Sequence, residues 1–375
     1  MAIVNPTAIN PYNGTFGALL VAKEAVQQTG EALTKADAIP VFAQTMTIDL
    51  GFAMEQPMLE DPFGTAYLGQ VTSAKCTWSF EAPLYGLGTT AVTPAPSPPT
   101  YNIVVPRFVN EVLATTFDVT VTNGVVHPSL TLTPTANSDG VNDSFSMRGF
   151  FGIKGTPAGG ASPPNAMLSA YLVGCRISKA TISIKSDGMH RIKLEGLGVY
   201  SADWSDTDED LTGNNWDAQA QEFIRGMGQA VRLQVNGAGD EYVANATSTE
   251  ISVDFGAEAI MSDGALSTLG VGAIGLTKRD VAISVDPIWV EASVWSIFSV
   301  ARAGGFFTVT SAFAYPSAYS SGTGAKGRGF KFTLPKVQFA NTTPQRASGS
   351  RAKLDGVSVK DIESDMPLTL TLGSE

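Results

Sequence analysis

The sequence has few of the residues on which enzyme and metal chemistry usually depend. It contains two histidines and two cysteines among 375 residues. His127 and His190 lie in no nucleophile-elbow or metal-binding motif, and no phosphate-binding glycine loop with its lysine is present. Cys76 and Cys175 are too few for a disulfide framework or a four-ligand zinc site, so we expect buried, reduced thiols. We therefore expect no enzyme activity and no cofactor.

Long apolar runs are also missing. No run approaches the roughly 20 residues that a helix needs to cross a bilayer, so we expect no membrane partner. The N-terminal segment MAIVNPTAINPYNG has no charged leader followed by an apolar stretch, which argues against a signal peptide. The protein is therefore expected to be made and assembled in a cytoplasm.

Positive charge is scarce relative to negative charge, with a net charge of −11. Proteins that bind duplex DNA normally carry a basic face, so this balance argues against that class. It does not argue against DNA that passes an acidic wall without binding, because carboxylates repel phosphates. Most of the individual carboxylates are expected on ordinary solvated surface.

Segments with helical periodicity are few. PRFVNEVLATT (106–116) and WVEASVWSIFSVARA (289–303) each place apolar residues on one helical face. The segment from Ala18 to Lys35 contains helix-forming residues, but its Val and Thr residues leave a strand open. Elsewhere Gly, Pro, Ser and Thr are abundant and apolar residues alternate with polar ones. The composition predicts a mainly β fold, and the length predicts two domains.

One hairpin organises the sequence. VGCRISKATISIKSDGMHRIKLEGLGVYS (173–201) contains a strand, an SDG turn and a returning strand. An isolated hairpin is only marginally stable, so it must join a larger sheet. A shorter version of the same pattern recurs at the C-terminus in LDGVSVKDIESDMPLTLTLGS (354–374).

The order of predicted elements repeats in the second half of the chain. TMTIDL matches TEISVDF, SAKCTWSF matches TKRDVAISV, FDVTVTN matches FFTVTSA, and SFSMRGFFGI matches GFKFTLPKVQF. We therefore predict a tandem duplication with domains at 1–202 and 218–375, joined by an acidic linker at 203–217. Chance similarity between two β-rich stretches is the alternative.

The predicted linker contains the one arrangement that could hold a metal. Asp206, Asp208 and Asp210 have the alternate spacing of a calcium loop, and Asp217 falls at its twelfth position. Leu211 stands where such a loop needs Gly, and the twelfth position normally carries Glu. A solvated acidic linker without metal is the preferred interpretation.

Both hairpin segments, together with TKRDVAISVDPIW and GRGFKFTLPKVQFANTTP, resemble the major tail tube proteins of long-tailed bacteriophages. The resemblance covers nearly the whole chain after about residue 39 and is one of pattern. It implies small β-barrels or sandwiches, each flanked by one α-helix and carrying long loops. The implied fold is two such tail-tube-type domains in tandem. The implied function is that of a structural virion protein, whose stacked rings form the conduit for DNA ejection.

The resemblance also implies partners. The subunit would associate with itself, as trimeric, pseudo-hexameric rings if the chain is duplicated, or as hexamers if the first half is one elaborated domain. Tail terminator, tape measure and distal tail proteins would contact the tube, and genomic DNA would pass through the lumen without specific binding. The alternative is a β-rich phage adhesin, a baseplate component or another binding module, which would form discrete oligomers.

In tail tube subunits a long loop near the start of each domain typically reaches the adjacent ring. By position, the implied loops are Glu55 to Gly69 and Gly256 to Gly275. The candidate inter-ring residues are Glu55, Met58, Leu59, Phe63, Tyr67, Ile260, Met261, Leu266 and Leu269. The candidate intersubunit strand residues, on the strands after the two predicted helices, are Phe117, Val119, Val121, Phe306 and Val309.

Overall fold

The computed structural model describes the chain in ranges separated by gaps. The described residues are 17–42, 44–55, 70–84, 87–91, 101–123, 128–134, 143–151, 168–185, 188–206, 224, 231–235, 241–244, 246–262, 271–289, 294–311, 329–345, 351–359 and 367–373. Within these ranges the protein is mainly β, as the composition predicts, and every strand pairing is antiparallel. No helix in the described part of the chain is long and apolar enough to cross a membrane.

The strands of the first half are β1 (Gly17–Lys23), β2 (Ala38–Ile39), β3 (Thr47–Asp49), β4 (Phe52–Glu55), β5 (Gln70–Pro83), β6 (Gly88–Ala91), β7 (Tyr101–Val104), β8 (Phe117–Thr122), β9 (Ser129–Pro134), β10 (Phe145–Phe151), β11 (Leu168–Lys185) and β12 (Arg191–Asp206). Those of the second half are β13 (Val231–Val235), β14 (Glu241–Ala244), β15 (Ser248–Asp254), β16 (Ala257–Met261), β17 (Val271–Leu276), β18 (Asp280–Trp289), β19 (Phe307–Ser311), β20 (Gly329–Gln345), β21 (Arg351–Ser358) and β22 (Thr369–Gly373).

Both predicted helices are present, though shorter or less regular than expected. The first is a π-helical turn, Phe108–Val112, followed by a 3-10 turn, Leu113–Thr115, and it buries the predicted apolar face. The second, α1, covers Val294–Arg302, because β18 already occupies the chain up to Trp289. Between Ala18 and Lys35, strand β1 forms instead of a helix, since pairing with β10 along its whole length outweighs helix propensity.

The pairings of the first half form a closed circuit. β1 pairs with β10, β10 with β11, β11 with β12, β12 with β5 and β5 with β3. β2 pairs with β1, and the chain that leads from β2 to β3 follows β5, where Phe42 N donates to Glu81 O. The interrupted strand β2–β3 therefore lies between β1 and β5 and closes the circuit.

The second half has the same pairing order. β13 pairs with β19, β19 with β20, β20 with β21, β21 with β18 and β18 with β15. β14, which directly precedes β15, pairs with β13 and occupies the place that β2 has in the first half. Six strands, taken in chain order, thus have identical neighbours in the two halves.

Two β-bulges fall at matching places in these circuits. In each half the longest strand has a register shift against the strand before it and a matching one against the strand after it, and β11 has three further shifts against β12. The matching pairs are Phe145–Cys175 and Phe307–Val337, Met147–Leu172 and Val309–Leu334, Ile177–Gly196 and Phe339–Gly356, and Lys179–Glu195 and Asn341–Asp355. Residues of β11 therefore correspond to residues of β20 that lie 162 positions later (Cys175 to Val337).

The pairing changes three of our assignments. SFSMRGFFGI forms β10, whose counterpart by pairing is β19 and not β20. Leu354 to Ser374 is not a hairpin, because β21 and β22 pair with opposite ends of β20. FDVTVTN contributes β8 and is not the counterpart of FFTVTSA, which contributes β19.

The first half contains two additional hairpins, β6–β7 and β8–β9, between β5 and β10, and we consider β8–β9 here. This hairpin belongs to the sheet of the second half, since β9 pairs with β22 and β22 pairs with the start of β20. The Phe117 ring packs edge-on against the Phe255 ring, with centroids 5.4 Å apart. One continuous apolar cluster runs through both halves.

Candidate functional site: the junction between the two halves

The two halves are joined edge to edge by β11 and β15. The last seven residues of β11 pair with all of β15, from Lys179–Asp254 to Lys185–Ser248. The side chains alternate across this pairing. Ala180, Ile182, Ile251 and Val253 are buried in the core, while Thr181 and Ser252 lie on the other face. We call this pairing, together with the hairpin described next, the internal junction.

The hairpin β16–β17 extends the internal junction onto the face of β11 and β12. Val271 and Ile274 of the hairpin pack against Val173, Leu197 and Val199 in a separate small apolar cluster. The Arg176 guanidinium, which is buried, donates to the Ile274 carbonyl oxygen at 3.0 Å. Burial lowers the pKa of Arg176, and the nearby Asp143 carboxylate partly offsets this. The second half thus covers an apolar patch that the first half would otherwise expose.

A turn of the form Asp-x-Gly directs this hairpin out of β15. Asp254 Oδ1 accepts from Gly256 N at 2.9 Å, and Gly256 has a φ of +58°. A Cβ at Gly256 would lie 2.5 Å from Thr277 Oγ1, so conformation and space both require glycine. Lys278 Nζ lies 2.7 Å from Asp254 Oδ2.

The first half contains the same turn between β3 and β4. Asp49 Oδ1 accepts from Gly51 N at 3.0 Å, and Gly51 has a φ of +55°. The carbonyl of each glycine then accepts an N–H from the opposite strand, from Lys75 or from Thr277. β3 and β4 therefore correspond to β15 and β16, and TIDLG and SVDFG are the sequence signal of this correspondence.

Some of the predicted inter-ring residues lie within the described ranges and the others lie outside them. Ile260 and Met261 lie on β16 with exposed fractions of 54% and 55%. Half of the predicted Gly256 to Gly275 loop lies in the strands of the β16–β17 hairpin, and residues 263–270 lie outside the described residues. Glu55 ends β4. Met58, Leu59, Phe63, Tyr67, Leu266 and Leu269 lie outside the described residues.

The predicted intersubunit residues lie on two strands with different surroundings. β19, which carries Val309 and follows Phe306, is paired on both sides within the chain, and Val309 is buried. β8 pairs with β9 on one side, and no described strand pairs with its other side. Phe117 is buried there, while Val119 is half-buried and Val121 is exposed.

The calcium candidates fall mostly outside the described residues. Asp206 ends β12, so residues 203–206 of the predicted linker belong to a strand. Asp208, Asp210 and Asp217 lie outside the described residues. No group of three or more His, Cys, Asp or Glu side chains suited to a metal occurs within the ranges that the structure describes.

Both cysteines are buried and free, as predicted from their number. Burial, and secondarily the Asp49 carboxylate, raises the pKa of Cys76 to about 12. Burial also raises the pKa of Cys175, with a further contribution from Glu24. A thiol with a raised pKa carries little thiolate at neutral pH, so neither residue has the character of a nucleophile.

Sequence reasoning missed a buried carboxylate, that of Glu24. Its oxygens accept from Ser144 Oγ (2.5 Å), Ser146 Oγ (2.7 Å), Gln28 N (2.8 Å) and Gly174 N (2.8 Å). These bonds fix the β11 bulge, where Gly174 has a φ of +59°. A lone Glu among helix-forming residues gives no sequence signal for this role.

No family model matches the chain, and no curated protein matches it at a significant level.

Proposed function

We propose that the chain is a structural virion protein, the major tail tube subunit of a bacteriophage, built from two tandem tube-type β-barrel domains. The observation that carries the proposal is the repeated circuit, with identical strand neighbours and matching bulges in the two halves. Duplication of a domain that assembles edge to edge explains why the halves also join edge to edge.

The internal junction supports a self-assembling role in particular. If the chain is duplicated, each half has two different sheet edges that can pair. The internal junction pairs one kind of edge of the first half with the other kind of edge of the second half, so one edge of each kind remains unused. Contacts between unlike surfaces of identical subunits are heterologous, and they close into rings when the rotation permits. Strand pairing between subunits would also remove the hazard that open sheet edges otherwise create.

The proposed product is a ring of three chains, six domains in all, stacked into a tube. Tail terminator, tape measure and distal tail proteins are the proposed partners at its ends and in its lumen. The net charge of −11 suits a wall past which DNA moves without binding, because its carboxylates repel the phosphate backbone.

Electron microscopy of the purified protein at increasing concentration tests the proposal. Long hollow tubes are the expected result, with rotational averages of six lobes modulated threefold. Tubes whose rings have true sixfold symmetry would support the proposed function but contradict the duplication. Compact particles that do not elongate at any concentration would reject the tube and favour a phage adhesin or another binding module.

A further inference from the structure

The surfaces that form the internal junction occur a second time in the chain, in an uncovered state. The strand that corresponds to the end of β11 is the end of β20, and the strand that corresponds to β15 is β3. β20 pairs with β21 on one side from Asn341 to Gln345, and β3 pairs with β5 on one side. Within the described ranges, no strand pairs with the other side of either segment.

The apolar patch under the β16–β17 hairpin also has an uncovered counterpart. Leu197 follows Gly196 and Val357 follows Gly356, and the two glycines are matched by the bulge pairing. Leu197 is 7% exposed beneath the hairpin, whereas Val357 is 46% exposed. Val357 therefore occupies the position that corresponds to Leu197, but no hairpin covers it within the described part of the chain.

The sizes of the residues at matching positions are complementary. At the internal junction, the large Tyr171 and Leu197 belong to the same apolar cluster as the small Ala257 and Ala259 of β16. On the uncovered side, Thr333 and Val357 hold the first two positions, and both are smaller. In β4, the places of Ala257 and Ala259 are taken by the larger Phe52 and Met54. The larger side chains therefore lie on β11 and β12 at the internal junction but on β4 in the second set of surfaces.

We propose that a second copy of this chain occupies these surfaces. β3 of one chain pairs with the end of β20 of the next, and the β4 end of its β4–β5 hairpin covers Val357. Transfer of the internal register places Asn341 opposite Asp49, Thr342 opposite Ile48 and Thr343 opposite Thr47. The inference rests on the proposed self-assembly and specifies the edges that carry it.

This outer junction is shorter than the internal one. Pro344 has no N–H to donate, so the pairing weakens beyond Thr343, whereas β11 continues to Lys185. Fewer strand pairs give a weaker contact, and assembly through it depends on protein concentration.

Disulfide trapping between two variants, each with one introduced cysteine beside the buried native pair, tests the register. Thr47→Cys and Thr343→Cys proteins are mixed, oxidised and separated without reductant. The matched control replaces Thr47→Cys by Thr120→Cys, an exposed position on the open edge of β8. We expect a heterodimer band at least tenfold stronger for the Thr47 mixture. A stronger band for the Thr120 mixture would place the contact at β8 and overturn the inference.

Substitution of an exposed valine separates this inference from the proposed function. Val357→Glu is expected to raise the concentration needed for assembly at least tenfold while leaving the melting temperature of the monomer unchanged. Val243→Glu is the control, because Val243 is 57% exposed and lies on β14, away from the proposed contact. If Val357→Glu forms tubes at the same concentration as the wild-type protein, this inference is wrong but the proposed tube function stands. A wild-type protein that never associates would overturn both.

Discussion

The two halves form the same bulge in their longest strand by different chemistry. In β11 the bulge contains Gly174 in a left-handed conformation, and the buried Glu24 carboxylate accepts its N–H. In β20 the matching residues are Pro335 and Lys336, and Thr308 Oγ1 donates to Pro335 O at 2.9 Å. Proline lacks the N–H that a regular ladder would use there. Different residues therefore produce a register shift at the same place in the two halves, and only β11 uses a left-handed residue for it.

The largest expected effect separates the two glycines at the second bulge. A Cβ on Gly196 would lie 2.2 Å from the Arg176 carbonyl oxygen, whereas a Cβ on Gly356 would lie 2.7 Å from the side chains of Phe339 and Val337. A backbone atom that is held in a sheet cannot move away from an added Cβ as easily as a side-chain atom can. Urea unfolding should therefore show that Gly196→Ala costs about 3 kcal/mol or more and Gly356→Ala about 1 kcal/mol. Equal losses would show that the backbone contact at Gly196 is no more restrictive than the side-chain contacts at Gly356.

Removal of the Glu24 charge should affect one half only. Glu24→Gln is expected to cost about 2 kcal/mol, because an amide cannot accept all of the bonds now made to the carboxylate. Hydrogen exchange should accelerate in β10 and β11 and remain unchanged in β19 and β20. Glu195→Gln, in an exposed pair with Lys193 (2.5 Å), is the control and should cost less than about 0.5 kcal/mol. Faster exchange in both halves would contradict the assignment.

Thiol labelling should distinguish covered from uncovered positions of the repeat. Leu197→Cys and Val357→Cys place a cysteine at matching sites, and the native thiols are buried. In dilute protein, Val357→Cys should react with a maleimide at least about tenfold faster, because the β16–β17 hairpin covers only residue 197. Equal rates would show that the hairpin does not protect its patch in solution.

The smallest expected effect concerns the turn after β15. Burial opposes the charged form of Asp254, but hydrogen bonds from Lys278 and the Gly256 backbone outweigh it and lower the pKa of the carboxyl. Because the folded pKa lies below the ordinary 3.8, the ionised group stabilises the protein above that pH and the benefit disappears as pH falls through the folded value.

The corresponding measurement compares urea midpoints at pH 7 and near pH 2. Asp254→Asn should cost at most about 0.5 kcal/mol at pH 7, since the ion pair is exposed, and nothing at the lower pH. Asp49→Asn is the control for the hydrogen bond alone, because it retains the bond to Gly51 N. A loss for Asp254→Asn that persists at the lower pH would assign the effect to the turn geometry and not to charge.

Much of the local structure could be predicted from the sequence. Alternation places Ile182, Ile184, Ile192 and Leu194 in buried positions of β11 and β12. The scarcity of cysteine predicts buried free thiols, which the structure confirms. These features depend on nearby residues, and for that reason a sequence pattern carries them.

Strand pairing was harder to predict because it is non-local. Matching by order places FDVTVTN opposite FFTVTSA, yet β8 belongs to a hairpin that has no counterpart in the second circuit. This one insertion displaces every later assignment. The better signal is short: KLEG at 193–196 and KLDG at 353–356 carry the matched glycines.

β11 belongs to both halves at once. Its first part completes one circuit beside β10, and its last part forms the edge against which β15 lies. Removal of the first half would therefore leave β15 without its neighbouring strand β11 along seven residues. Force pulling the halves apart along the strand would load all these pairs in parallel, so they would resist together.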